Sequence, residues 1–158
     1  MSRKRWGGGF VWIAVLALTA GWSGGRPPSN LGVTEGRLAP CPGSPNCVSS
    51  ETTNEQRVEP LPYDGDAARA RIRLLEVLNG MERTRVVQST GDYVHVEVHS
   101  AIFGFVDDME FYFSPPGIIQ VRSASRTGYY DFGVNRERVE TLRARFTATA
   151  EAGGTAAR

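Results

Sequence analysis

The sequence is poor in the residues on which most recognisable chemistry depends. It has one lysine, Lys4, two cysteines, Cys41 and Cys47, and two histidines, His95 and His99. Two histidines and two cysteines far apart in the chain exclude the familiar zinc spacings. The cysteines are not spaced C-x-x-C, and no histidine lies near them. No G-x-S-x-G elbow is present, so a nucleophilic serine of that type is absent, and Ser123 and Ser125 have no histidine close in sequence. No internal repeat is visible, and no motif is strong enough to name a reaction or a cofactor.

Positive charge is also scarce beyond the N-terminus. The whole chain carries 18 basic residues against 17 acidic ones. Without Arg3, Lys4 and Arg5 the balance turns mildly acidic. Nucleic-acid binding needs a basic footprint, so that partner class is not expected. Arginine as the remaining strong cation suits planar pairing with carboxylates.

Long apolar runs are limited to one place. Phe10 to Ala20 is an apolar run of 11 residues behind Arg3, Lys4 and Arg5, and small residues follow it. This is the pattern of an export signal. Counting from Trp6 to Trp22 gives 17 residues with a tryptophan at each end, which reaches the lower limit of about 17 for a membrane span. Residues 1–25 are therefore expected to be a signal peptide or an uncleaved anchor, with membrane attachment through residues 6–22. In either case the basic end stays inside and the domain goes out, to the periplasm or the outer side of the cytoplasmic membrane. A lipoprotein cysteine is missing, since Gly21 and Trp22 occupy the place where one would follow the small residues.

In an oxidising compartment Cys41 and Cys47, in P-C-P-G-S-P-N-C, read as a disulfide. Closing so short a loop contributes about 2 kcal/mol. A redox pair or half of a metal site are the alternatives. Residues 26–60 are rich in Pro, Gly, Ser, Thr and Glu and read as an irregular linker pinned by this loop.

Residues 61–148 carry the periodic patterns. Asp64 or Asp66 caps a helix whose apolar stripe is Ala68, Ile72, Leu75 and Leu78, ended by Gly80. Four strands follow: Arg85 to Ser89, Tyr93 to His99, Val106 to Phe113 and Ile118 to Ser125. Val94, Val96 and Val98 alternate with Tyr93, His95, Glu97 and His99, as in a half-buried strand with a polar face. Matching the apolar faces of the last two strands sets Phe111 opposite Val121, Glu110 opposite Arg122 and Tyr112 opposite Gln120. A second helix starts near Asn135, with Val134 and Val139 as a staple and Val139, Leu142 and Phe146 as its stripe. Residues 149–158 read as a flexible polar tail. The expected fold is α+β: a four-stranded antiparallel meander with two helices packed on one face.

The densest chemistry lies between Asp107 and Arg138. His95 and His99 share a strand face but sit about 13 Å apart, too far for one ion whose bonds are about 2 Å. One histidine with Asp108 or Glu110 would bind a metal only weakly, and no metal or other cofactor is expected. Asp108 and Glu110, roughly 6 to 7 Å apart along one strand, have the makings of a hydrolytic carboxylate pair, but Arg122 beside them would hold a carboxylate ionised. Arg122, Arg126, Asp131, Asn135 and Arg136 form the remaining cluster. If Arg122 and Arg126 converge on the N-terminus of the last helix, they make a small-anion site. If they pair instead with Asp107, Asp108 and Glu110, with Asp131 facing the helix N-terminus, they form a buried ion network. Arg138, Arg143 and Arg145 are expected to reach into water.

The blocks C-P-G-S-P-N-C-V-S-S (Cys41 to Ser50), D-D-M-E-F (Asp107 to Phe111) and V-R-S-A-S-R-T-G-Y-Y-D-F-G-V-N-R-E-R (Val121 to Arg138) resemble the family of domain of unknown function 1499. The likeness covers residues 38 to 148. It implies a small domain, in many members behind a signal or membrane segment, and supplies no catalytic residue. The sequence thus points to an exported domain that binds a small polar ligand or an envelope partner through the Arg/Asp-rich bend. A hydrolase using Asp108 or Glu110, and a purely structural envelope protein, are the alternatives.

Overall fold

The computed structural model describes residues 26–101 and 104–155, with side chains as far as residue 150. The expected signal or anchor segment, residues 1–25, lies outside the described residues, as do residues 156–158 of the tail. Among the described residues no helix is long and apolar enough to cross a membrane.

The architecture is α+β, but the sheet has six strands rather than four. The four long strands are where alternation put them: β5 (Thr84–Thr90), β6 (Tyr93–His99), β7 (Val106–Tyr112) and β8 (Ile118–Ser125). Two short strands from the Pro/Gly/Ser-rich segment extend the sheet beyond β8. β3 (Cys47–Ser49) pairs with residues 122–124, and β4 (Leu61–Pro62) pairs with Ile118 and Ile119. Residues 26–60 are thus not an irregular linker throughout. They also contain a separate hairpin of β1 (Val33–Thr34) and β2 (Arg37–Leu38). Glu35 and Gly36 turn that hairpin with φ of 53° and 74°, the left-handed pair that a two-residue hairpin turn requires.

The register of β7 with β8 agrees with the pattern: Phe111 faces Val121, Glu110 faces Arg122 and Tyr112 faces Gln120. Between β6 and β7, His95 faces Glu110 and Glu97 faces Asp108. Val94, Val96, Met109, Phe111, Ile119 and Val121 are fully buried on one face of the sheet. Helices α1 (Ala67–Asn79) and α2 (Val134–Thr155) cover that face. Burying side chains of this size stabilises by roughly 1.5–3 kcal/mol each.

Asp66 caps α1 by accepting a hydrogen bond from the Ala68 N–H, and Gly80 ends the helix. The buried stripe, however, is Ala70, Leu74, Val77 and Leu78, and Ile72 is exposed. Both stripes obey helical spacing, and contact with α2 and β5 selects the first. Arg73, between them, lies 4.1 Å over the Phe146 ring. On α2, Val139, Leu142 and Phe146 are buried as the spacing predicts, but Val134 is exposed and staples nothing. The helix continues past residue 148 into the polar tail, to Thr155.

Cys41 and Cys47 form a disulfide with Cα atoms 5.6 Å apart. It ties the loop before β3 to the edge of the sheet, where Cys47 is buried opposite Ala124.

Candidate functional site

The alternation that sends valines of β6 into the core sends Tyr93, His95 and Glu97 to the other face. There they meet Asp108 and Glu110 of β7 and Arg122 of β8. A polar sheet face would ordinarily be solvated, but this one is buried: Glu110 is 0% exposed, Asp108 1% and Arg122 3%. Burial of so many charges is tolerable only if each finds a partner. Glu110 accepts hydrogen bonds from Arg122 Nη1 (2.8 Å), the Tyr93 hydroxyl (2.7 Å) and the backbone N–H of Gly32 (2.7 Å). Arg126 grips Asp108 through Nε (2.8 Å) and Nη2 (2.7 Å) and reaches Glu97 through Nη2 (2.5 Å). His95 Nε2 lies 2.8 Å from Asp108 Oδ1, and Arg85 binds the other Glu97 oxygen at 2.5 Å.

The roof over this face is the strap of residues 26–38. Gly32 reaches Glu110 from above with φ of 106°, a conformation in which a side chain would be strained. At its far end the strap is held by Glu51, which accepts from the Leu38 N–H at 2.7 Å and pairs with Arg37.

The electrostatics follow from these contacts. Burial works to push the Asp108 carboxyl up, but the guanidinium of Arg126 and the ring of His95 outweigh it and hold Asp108 below its ordinary value. Glu97 behaves alike: burial opposes its charge, and Arg126 and Arg85 prevail. The Tyr93 phenol is pushed well up, first by burial and then by the charge and hydrogen bond of Glu110. The Arg126 guanidinium is held more firmly protonated than usual, chiefly by its bonds to Asp108. Each group is thereby locked in one protonation state near neutrality. Asp108 is an ionised acceptor and a poor proton donor.

The bend between β8 and α2 is a second, separate arrangement. Asp131 caps α2, accepting from the N–H groups of Gly133 (2.9 Å) and Asn135 (3.1 Å). Asn135 is fully buried and ties the bend together: its amide donates to Asp131, to the Ser125 hydroxyl and to the Asn46 carbonyl, and its oxygen accepts from Ser123. Asn46, beside the disulfide, also donates to the Gly128 carbonyl at 2.6 Å. On this fixed base stand Tyr129, Tyr130 and Phe132, which are 74%, 57% and 86% exposed. Phe132 holds φ of 57°, unusual for a bulky residue, and its ring meets Tyr130 edge-on at 5.1 Å. A cleft of about 650 Å³ opens beside them toward Phe105, Arg138 and Arg145, and a second of about 520 Å³ toward Pro45, Gln56 and Arg136.

The candidate residues therefore divide into three places. Arg122 and Arg126, with Asp108 and Glu110, belong to the buried face and do not turn to the N-terminus of α2, which packs on the opposite side of the sheet. Asp131 and Asn135 build the bend. Arg136 is half-buried and donates to the carbonyls of Glu55 and Arg57. Among the described residues no group of three or more His, Cys, Asp or Glu is arranged to hold a metal ion. Two expectations for the last helix are corrected. Arg138 is not in water but bonds Asp107 at 2.7 Å with both side chains largely buried, and Arg143 donates to the carbonyls of Glu59 and Pro60. Arg145 donates to the Gly80 carbonyl from an exposed position.

The matching family model is described as Protein of unknown function (DUF1499), and it spans residues 37–146. The chain belongs to this family. No curated protein matches it. The DUF1499 match takes in every side chain of the buried face, the disulfide loop and the whole bend. It begins at Arg37, so the Gly32 end of the strap lies outside it. Alternation on β6 to β8 makes Asp108, Glu110 and Arg122, and the polar face of Tyr93, His95 and Glu97, legible in the sequence. Asn46 carries no such signal. Tyr129, Tyr130 and Phe132 stand among the charges of the block from Val121 to Arg138.

Proposed function

We propose that this protein is an exported, non-catalytic domain that docks a partner protein through the aromatic bend between β8 and α2. The observation that carries the reading is the exposure of Tyr129, Tyr130 and Phe132 on a bend whose own polar groups are already bonded. Large exposed aromatics on a rigid base are the residues that dominate protein interfaces, because little side-chain entropy is lost on docking. A partner with an apolar recess and a polar rim fits a crest flanked by Arg138, Arg145 and Glu137.

Two competing readings receive less support. A small-anion site at α2 lacks its donors, since Asp131 already takes the N–H groups of Gly133 and Asn135. A hydrolase using Asp108 or Glu110 would need a carboxyl able to give up a proton. Asp108 is held ionised by Arg126, and Glu110 is fixed by three donors beneath the strap.

The test is site-specific photo-crosslinking in the native envelope, with the reactive group at position 129 or 132 and at Ile72 as an exposed control. A discrete protein adduct from the bend that is missing from Ile72 is the expected result. No adduct from the bend, or the same adducts from both places, would refute the reading and leave a structural envelope role.

A further inference from the structure

The strap that covers the buried charged face is fastened at few points. Its hairpin is closed on itself, Val33 pairing with Leu38 and Thr34 with Arg37. The hydrophobic core between sheet and helices takes nothing from it, since the first residue of that core in the chain is Val48. Within residues 26–38 only Leu38 is buried, while Leu31 and Val33 are half-buried. Among the described residues, the strap is hydrogen-bonded to the body at two places. The Gly32 N–H donates to Glu110, and Glu51 takes the Leu38 N–H and pairs with Arg37. Both margins of the strap are open. A cleft of about 500 Å³ lies between Leu31 and Val33 on one side and Val87 of β5 on the other, and one of about 520 Å³ lies between Thr34 and Arg37 and the residues Ser49 and Thr52.

The charges beneath do not need the strap for their pairing. Arg126 holds Asp108 and Glu97, Arg85 holds Glu97, and Arg122 holds Glu110, all from the body itself. Lifting the strap takes from Glu110 one donor of three, and at an uncovered surface water replaces it. Few buried apolar contacts and few bonds to the body mark a segment that opens locally while the rest stays folded. The geometry also supplies a hinge. After Leu38 come Ala39 and Pro40, and then Cys41, which the disulfide pins to Cys47 of β3. A self-paired hairpin is thus joined to a fixed point by two residues.

We propose that the strap is a lid. The hairpin swings as one body about Ala39 and Pro40, closed when Gly32 is bonded to Glu110 and open when that bond is released. The closed lid hides the charged face of Tyr93, Glu97, Asp108 and Glu110, and the open lid presents it to solvent with its ion pairs intact. The device is independent of the aromatic bend, whose bonds run through Asn46 and Asn135.

The experiment is native-state hydrogen exchange of the full-length chain, followed residue by residue by NMR in low urea. The Gly32 and Leu38 amides report the lid, and the amides of β7 report the whole molecule. The lid amides should exchange roughly a hundredfold or more faster than those of β7, relative to unstructured peptide rates. Their exchange should respond little to urea, because a lid of this size exposes little surface, whereas that of β7 rises steeply. Glu51→Ala removes the fastening beside the hinge. It should speed exchange at Gly32, beyond the hairpin, at least tenfold and leave β7 unchanged. Exchange at Gly32 or Leu38 with the rate and urea response of β7 would show that strap and body open only together, and would overturn the proposal. So would an unaltered Gly32 rate in Glu51→Ala, which marks a fraying end rather than one moving body, or an equal acceleration of β7 in that variant.

Discussion

Arg126 is the side chain on which the buried face depends most. It satisfies two carboxylates at once, and its own side chain is 5% exposed. Arg126→Ala leaves Asp108 and Glu97 buried without their main partner and should cost about 3 to 5 kcal/mol in urea unfolding. Combining it with Asp108→Asn should recover part of the loss. Arg69→Ala, at an exposed site on α1, should change stability by no more than about 0.5 kcal/mol. Equal effects of Arg126→Ala and Arg69→Ala would refute this account of the network. The same contacts fix the pH response. Asp108 and Glu97 titrate lower in the folded protein than in the unfolded chain, where carboxyls titrate at about 4. The folded state therefore binds fewer protons in that range. The stabilisation is complete above about pH 5 and is lost as pH falls through the folded values. Tyr93 acts in the opposite direction. Its folded pKa lies above the unfolded value of about 10, so its contribution is full below pH 10 and is lost on going higher. Melting temperatures from pH 3 to 11 should fall at both ends. An ultraviolet titration should find one of the five tyrosines resisting ionisation until the protein unfolds.

Among the elements, the N-terminus of α2 shows how a helix start can serve as a pedestal. Asp131→Ala removes a cap and should cost about 1 kcal/mol. Asn135→Ala strands the buried Ser123 hydroxyl, at about 1 to 3 kcal/mol, and takes one of two donors from the Asn46 carbonyl, so it should cost more. If the bend is a docking crest, Asn135→Ala should also lower partner crosslinking from position 132, while Tyr129→Ser lowers it with little change in melting temperature. The disulfide loop buttresses the same bend through Asn46. Replacing both cysteines by serine should cost about 2 kcal/mol and speed hydrogen exchange at the Ser125 amide, which bonds Asn46. Unchanged exchange there would mean that the loop holds Asn46 in place without its disulfide.

For the whole molecule, the strap decides whether one sheet face is surface or interior. A chain starting at residue 39 should melt lower and let Tyr93 ionise at lower pH than in the full chain, though still above its ordinary value because Glu110 remains beside it. Full retention of the raised phenol value would mean that the strap contributes nothing to its burial. The strap also marks the limit of what could be read in advance. Alternation of valine with polar residues on β6 specified which residues share a face, and apolar matching specified the register of Glu110 with Arg122. Neither says whether the polar face is covered. The cover comes from Gly32 and its neighbours in a stretch without periodicity. Strands as short as Cys47–Ser49 and Leu61–Pro62 leave no alternation to detect, so two of the six strands were invisible. Ile72 and Leu74 fit helical spacing equally, and only the neighbouring helix separates them. For the site, the charges of the block from Asp107 to Arg138 fit an anion site and an ion network alike, and only the fold shows that Arg122 and Arg126 pair with Glu110 and Asp108.

Pro27 lines a cleft with Thr90 and Asp92 at one end of the strands, and the bend follows Ser125 at the other. The seven residues of β6 between these ends measure about 20 Å. The sheet is therefore a spacer of fixed height. Whatever enters at Pro27 and whatever docks on the crest are thereby kept about 20 Å apart, too far for one small molecule to touch both.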